Sequence, residues 1–143
     1  MQTFLPYADF ARSASCLDRQ RLGKQRVETY QILRALRGES KGWINHPATR
    51  MWKNHEAALA EYGVAICSEW ISRGYRDSLL PYFKQAILDL PSCTYPLWIG
   101  REDFHRSHQS NLVRKMPAHY AHMFPDVPAD LPYIWPDVEG ITE

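Results

Sequence analysis

The residues best suited to chemistry lie close together in the first third of the chain. Arg21, Lys24, Glu28 and Gln31 follow one another at steps of three, four and three. On a helix, those steps bring side chains onto one face. Glu28 is the only acid between Arg19 and Arg37, and Arg21, Lys24 and Arg26 surround it. A lone carboxylate in a cationic field suits a reaction that develops positive charge beside a phosphate backbone. Cleavage of an N-glycosidic bond is such a reaction, because the sugar becomes oxocarbenium-like or is captured by an amine as an imine. The basic residues would then hold phosphates while the carboxylate steadies the sugar cation. The plainer interpretation is a Lys24–Glu28 pair on a wet surface, worth about 0.3–0.5 kcal/mol. On spacing alone that pair is the commoner outcome.

Charge distribution adds a partner. The net charge of +1 conceals ten bases against three acids over residues 12–53, a local +7, with −6 spread over the rest. A basic half on a neutral protein is the footprint of a polyanion ligand such as double-stranded DNA, although a solvated helix face gives the same count. Candidate contacts are Arg19, Arg21, Arg26 and Gln31 on the stripe helix, Trp43, Asn45 and His46 in the loop after it, and Arg114 and Lys115 further on.

Other groups invite chemistry and meet a simpler explanation. His46, between Asn45 and Pro47, can reach a sugar or phosphate, or can cap the helix that follows. Trp43, Trp52, Tyr133 and Trp135 can stack on a flipped base. Trp52 falls at helical spacing and is expected in the core, which leaves the loop residues Trp43 and Trp135 as better candidates. His105-x-x-His108 and His119-x-x-His122 have the step of a metal pair. The first pair sits among Arg106, Arg114 and Lys115, and Pro117 interrupts the geometry. No metal or other cofactor is expected, and the segment reads instead as a basic, His-rich face on DNA. Cys16, Cys67 and Cys93 are odd in number, with no C-x-x-C, which points to reduced, buried thiols in a cytoplasm.

These residues need a helical frame. A short helix is expected over residues 7–16, after Pro6. Asp18 is placed to cap a longer helix running to Arg37 and closed by Gly38, with Leu22, Thr29, Ile32, Leu33 and Leu36 facing inward. After a loop over Gly42–Pro47, a helix is predicted from Ala48 to Ser72, with Met51, Trp52, Leu59, Tyr62, Ile66 and Trp70 inward and a stop at Gly74. Gly63 within it marks a weak point or a close helix contact. A further helix spans Leu79–Leu88, and residues 91–100 connect. Arg101–Phe124 is helical with a break at Pro117, and Pro125–Pro136 is an extended, proline-rich tail. The chain is read as all-α, one compact domain over residues 1–143. With 45% apolar residues it can bury a core unaided. It shows neither an export signal nor an apolar run long enough to span a membrane. It is expected to act as a cytoplasmic monomer.

The pattern Leu17-Asp18-x-x-Arg21-x-x-Lys24-x-x-x-Glu28-x-x-Gln31, followed by Asn45-His46-Pro47 and Trp52, resembles the pyrimidine-dimer DNA glycosylase/AP lyase family of the phage endonuclease V type. The likeness continues through Ser72-Arg73-Gly74-Tyr75, fades over 76–104, and returns weakly from His105 to Tyr120. The resemblance implies an all-α domain that bends DNA across a basic face. It also implies removal of a damaged pyrimidine and nicking of the abasic site by β-elimination, without a metal. The family's essential glutamate falls on Glu28, and its phosphate-contacting bases fall near Arg21 and Arg26. Its nucleophile is the α-amine of the processed N-terminus. Residue 2 here is Gln2, too large for the usual removal of Met1, so the amine would be that of Met1. Lys24 is the other amine within reach, but lysine is by nature far more basic than an α-amine.

Two function classes follow. One is an enzyme that excises a damaged or modified pyrimidine, with a hypermodified phage base as a variant substrate. The other is a non-catalytic nucleic-acid-binding protein on the same scaffold. A pure binder has no use for an acid inside its phosphate-contact stripe, where it lowers affinity.

Overall fold

The computed structural model describes residues 1–91 and 93–136. Among them are seven helices and no strand: α1 (Phe10–Cys16), α2 (Arg19–Leu36), α3 (Pro47–Arg50), α4 (Glu56–Ser72), α5 (Leu80–Asp89), α6 (Glu102–Lys115) and α7 (Pro117–Tyr120). The all-α expectation is met. The last seven residues of the expected single domain lie outside the described residues.

The stripe helix α2 has two well-made ends. At its start the Asp18 carboxylate accepts from the Arg21 N–H, satisfying one of the free amides of a first turn. The Tyr120 hydroxyl donates to the same carboxylate at 2.5 Å and accepts from the Asp18 N–H, which bolts α7 to the head of α2. At its end Gly38 takes φ +77°, and the Gly38 and Glu39 amides donate to Ala35 and Arg34. That is the Schellman arrangement, which favours glycine because a Cβ resists the left-handed conformation. Leu22, Thr29, Ile32 and Leu33 are buried as the periodicity predicts, and Leu36 is half-buried.

The predicted single helix over 48–72 is two helices. α3 stops after Arg50, and Asn54 takes φ +72° before α4 begins at Glu56. Asparagine tolerates that conformation better than most residues, so one residue breaks a run whose apolar spacing reads as continuous. Met51 and Trp52, in the intervening turn, remain fully buried. α4 is the central element, packing against α1, α2 and α5. Gly63 proves to be a close contact: a Cβ there would lie 2.5 Å from the Phe83 ring of α5. Trp52, Tyr62, Phe83, Trp98 and Phe104 dominate the core around this crossing.

Two non-helical segments complete the body. Residues 1–6 are extended, and Gln2 to Pro6 are buried. Residues 125–136 run back along α6, with the Leu131 N–H on Ser110 Oγ and the Leu131 carbonyl accepting from Asn111. This return brings Tyr133 against Phe4 of the N-terminal segment and Trp135 against His46.

Candidate active site

The extended N-terminus and α2 meet at Glu28. The Gln2 N–H donates to Glu28 Oε2 at 3.2 Å. Backbone geometry then sets the Met1 α-amine within about 7 Å of that oxygen. Among the described residues no ion pair forms between that amine and Glu28, nor between Lys24 and Glu28. The surface Lys24–Glu28 pair is therefore absent, and the carboxylate is committed to the N-terminal segment.

A cleft of about 330 Å³ opens over this junction, lined among others by Met1, Glu28, Arg21, Lys24, Lys115 and Tyr133. Arg21, Lys24 and Lys115 supply three cations around one carboxylate. Arg21 is held by Asp18 at 3.2 Å and stays partly exposed. Burial alone would raise the Asp18 carboxyl, but hydrogen bonds from Tyr120 and Arg21 hold it below the usual range. Lys24 and Lys115 are exposed. Arg114 is also exposed, donates to Asn111, and acts electrostatically on Tyr133.

On the other side of Glu28 a second groove is lined by Arg19, Lys24, Gln31, Val27, Trp70 and Tyr75, among others. Its floor is the stacked pair Trp70–Tyr75, with centroids 4.3 Å apart, and Gly23 lies against Trp70. Glu28 and Lys24 line both hollows, so the stripe read from sequence is a ridge between them.

His46 takes up one of the two roles its position suggests, that of a helix cap. Its Nδ1 accepts from the Ala48 N–H at 3.0 Å and caps α3. A neutral ring therefore carries its proton on Nε2. Burial lowers its pKa first, the Met1 ammonium lowers it further, and Glu28 pulls the other way. His46 thus lies within electrostatic reach of the Met1 amine and Glu28. From His46 a row of rings extends to Trp43 on one side and, through Trp135, to Tyr133 at the cleft. Trp43 is half exposed and holds φ +65°, a strained conformation for a bulky residue. Trp52 is fully buried, as its spacing implies. Asn45 is exposed and borders a separate hollow with Ile44 and Lys53.

Three expectations change. Arg26 does not line the cleft. Its Nη1 bonds Asp77 Oδ1 at 2.6 Å, and its guanidinium stacks on Trp70. Asp77 in turn accepts from the Leu79 and Leu80 amides at the start of α5. Burial would raise that carboxyl, yet the bonds from Arg26, Leu80 and Cys67 keep it low. Arg26 thus ties α2 to α5. Only part of the His-rich stretch faces outward: His122 is exposed, but His105 and His108 are buried, and both bond the backbone of Leu5. The ring of His119 meets the Cys16 carbonyl. No group of metal-binding side chains occurs among the described residues. All three cysteines are free. Cys16 and Cys67 are buried as expected, while Cys93 is exposed and bonds Glu61.

An all-helical domain that sets a carboxylate and an amine under a ring of cations has the parts of an enzyme acting at the sugar of a nucleic acid. The family model for pyrimidine dimer DNA glycosylases matches residues 1–80, more than half of the chain, and the chain belongs to that family. The match covers Met1, Arg21, Lys24, Glu28 and His46 and ends before the weaker block at His105–Tyr120. No curated protein and no solved structure matches the chain. No helix among the described residues is long and apolar enough to cross a membrane.

Proposed function

We propose that this protein removes a damaged or modified pyrimidine from duplex DNA with the Met1 α-amine as nucleophile, then cleaves the abasic strand. The observation that carries this reading is the Gln2–Glu28 hydrogen bond, which fixes the N-terminus beside the one acid in the cationic cleft. Arg21, Lys24 and Lys115 bind phosphates and set the sugar over the carboxylate. The neutral amine attacks C1′ and the N1–C1′ bond breaks, its electron pair leaving with the base, which takes up a proton. Glu28 stabilises the positive charge that develops on the sugar. Proton loss from nitrogen and opening of the sugar ring give an imine. Loss of a proton from C2′ then expels the 3′ phosphate by β-elimination, and hydrolysis frees the amine.

His46, with its Nε2–H free to donate, is placed to contact the sugar or a phosphate. Trp43 and Trp135 offer faces for unstacked bases, and Arg19, Gln31, Asn45 and Arg114 extend the contact surface. Lys24 serves as a phosphate contact, because the buried segment carries the other amine to Glu28. The protein works as a cytoplasmic monomer with no cofactor.

The test is borohydride reduction during turnover on duplexes carrying a panel of pyrimidine lesions and modified bases. Reduction of the imine leaves a permanent protein–DNA bond. Peptide mapping is expected to place it on Met1 and to find it intact in Lys24→Ala. An adduct on Lys24 would reverse the assignment, and base release with no adduct would make Glu28 an activator of water instead.

A further inference from the structure

Residues 2–6 are an extended segment with no strand beside it. A buried backbone must still satisfy its amides and carbonyls, and here side chains from three helices do so. From α2, the Gln25 side-chain amide accepts from the Phe4 N–H at 2.8 Å and donates to the Gln2 carbonyl at 2.7 Å. It thereby brackets residue 3 as the peptide of a neighbouring parallel strand would. From α4, the Tyr62 hydroxyl lies 2.7 Å from the Phe4 carbonyl oxygen and 2.8 Å from Gln25 Oε1, and its one proton is shared between these two acceptors.

From α6, two histidines hold Leu5 between them. The Leu5 N–H donates to His108 Nδ1 at 2.9 Å, and His105 Nδ1 meets the Leu5 carbonyl at 2.8 Å. The Gly100 N–H donates to His105 Nε2, which leaves the His105 proton on Nδ1, facing that carbonyl. The two rings need opposite tautomers, one accepting and one donating.

We infer that Gln25, His105 and His108 are positioning residues that fix the register of the N-terminal segment and so hold the Met1 α-amine at Glu28. This rests on the reading of that amine as the nucleophile. A slip of one residue moves the amine by about 3.4 Å, and a displacement of only 1 Å from a reacting centre can cost roughly 10²-fold in rate. Bonds on both sides of residue 3 and on both groups of residue 5 oppose such a slip, since every donor would then face a donor or an empty place. His105 and His108 do not line the cleft, and Gln25, which does, spends its side-chain amide on the Gln2 and Phe4 backbone.

The experiment is single-turnover borohydride trapping on a duplex with a preformed abasic site, at saturating full-length protein and below the unfolding temperature of each variant. Gln25→Met and His108→Leu are compared with His108→Asn, which keeps an acceptor for the Leu5 N–H. DNA affinity and amide exchange at Phe4 and Leu5 are followed in parallel. The expected result is a loss of roughly 10²-fold in trapping rate for Gln25→Met and His108→Leu. Affinity should stay within about twofold, the two amides should exchange faster, and His108→Asn should recover much of the rate. If Gln25→Met does not fold, the His108 pair decides alone. Wild-type trapping despite fast exchange overturns the inference, and so does a rate loss matched by lost DNA affinity. A wild-type adduct on Lys24 overturns the nucleophile assignment first, and this inference with it, before any variant is made.

Discussion

Replacing Glu28 with glutamine separates charge from shape. The amide side chain in Glu28→Gln keeps an oxygen for the Gln2 N–H, so the N-terminal segment keeps its anchor at 3.2 Å. Fold stability should therefore change by less than about 1 kcal/mol, the net worth of one hydrogen bond. What disappears is the negative charge facing the sugar. With C1′ within near-attack distance of the Met1 amine, the carboxylate lies roughly 5 Å from the developing cation. At an effective dielectric constant of about 20 this interaction is worth about 3 kcal/mol. That corresponds to roughly 10²–10³-fold in the rate of base release.

The assay is single-turnover excision from a lesion-containing duplex, read beside equilibrium binding to the same duplex. Glu28→Gln should excise roughly 10²–10³-fold more slowly, by about that 3 kcal/mol. It should bind with equal or greater affinity, because one repulsive acid has left a cleft ringed by Arg21, Lys24 and Lys115. Excision at the wild-type rate would refute the electrostatic argument. It would leave Glu28 as no more than the anchor for Gln2.

Arg21 and Arg26, alike in sequence, should behave differently. Arg21→Ala is expected to flatten the log–log salt dependence of DNA binding by about 0.9. Arg26→Ala should leave that slope unchanged but cost about 3–5 kcal/mol in urea unfolding, because it strands a carboxylate whose side chain is 0% exposed. Equal salt slopes for wild type and Arg21→Ala would remove Arg21 from the phosphate contacts. The histidine clamp predicts an acid-sensitive fold. Burial lowers the His108 pKa from 6.5 to about 3, and burial lowers that of His105 as well. The unfolded chain takes up these protons near pH 6.5 while the folded one resists. The stability contributed is therefore complete above pH 6.5 and drains away as pH falls towards 3. Urea midpoints for His108→Asn should depend less on pH between about 7 and 4 than those of wild type, and parallel curves would contradict the clamp chemistry.

Much of the frame was legible because its signals are local. Asp18 and Gly38 bound α2 through capping geometry that depends on a few adjacent residues, and Pro47 marks the first turn of α3. The stripe of Arg21, Lys24 and Glu28 follows from helical spacing alone. Where the sequence misled, a non-local partner decided. Arg26 reads as one more base in a basic run, yet Asp77, 51 residues away, claims it. The split at Asn54 escaped because Met51 and Trp52 stay buried on either reading, and their spacing carries no trace of one left-handed residue.

The N-terminal segment was the largest omission, and its partners did leave a mark. Gln25 stands three residues after Leu22 and four before Thr29, at a core-facing position of α2. A buried amide must find a donor and an acceptor or lose stability, so a glutamine there implies a backbone passing close by. His105 and His108 carry the same message on α6, beside the buried Phe104 and Leu112. Read singly, such residues suggest a DNA face or a metal pair. Read together, three hydrogen-bonding side chains in core register on two helices call for an extended segment between those helices. The nine residues before Phe10 are the stretch at the start of the chain that no helix uses, and the first six of them supply that segment. Periodicity registers apolar side chains and is blind to this arrangement, in which polar side chains stand in for a sheet and bring an amine to a carboxylate.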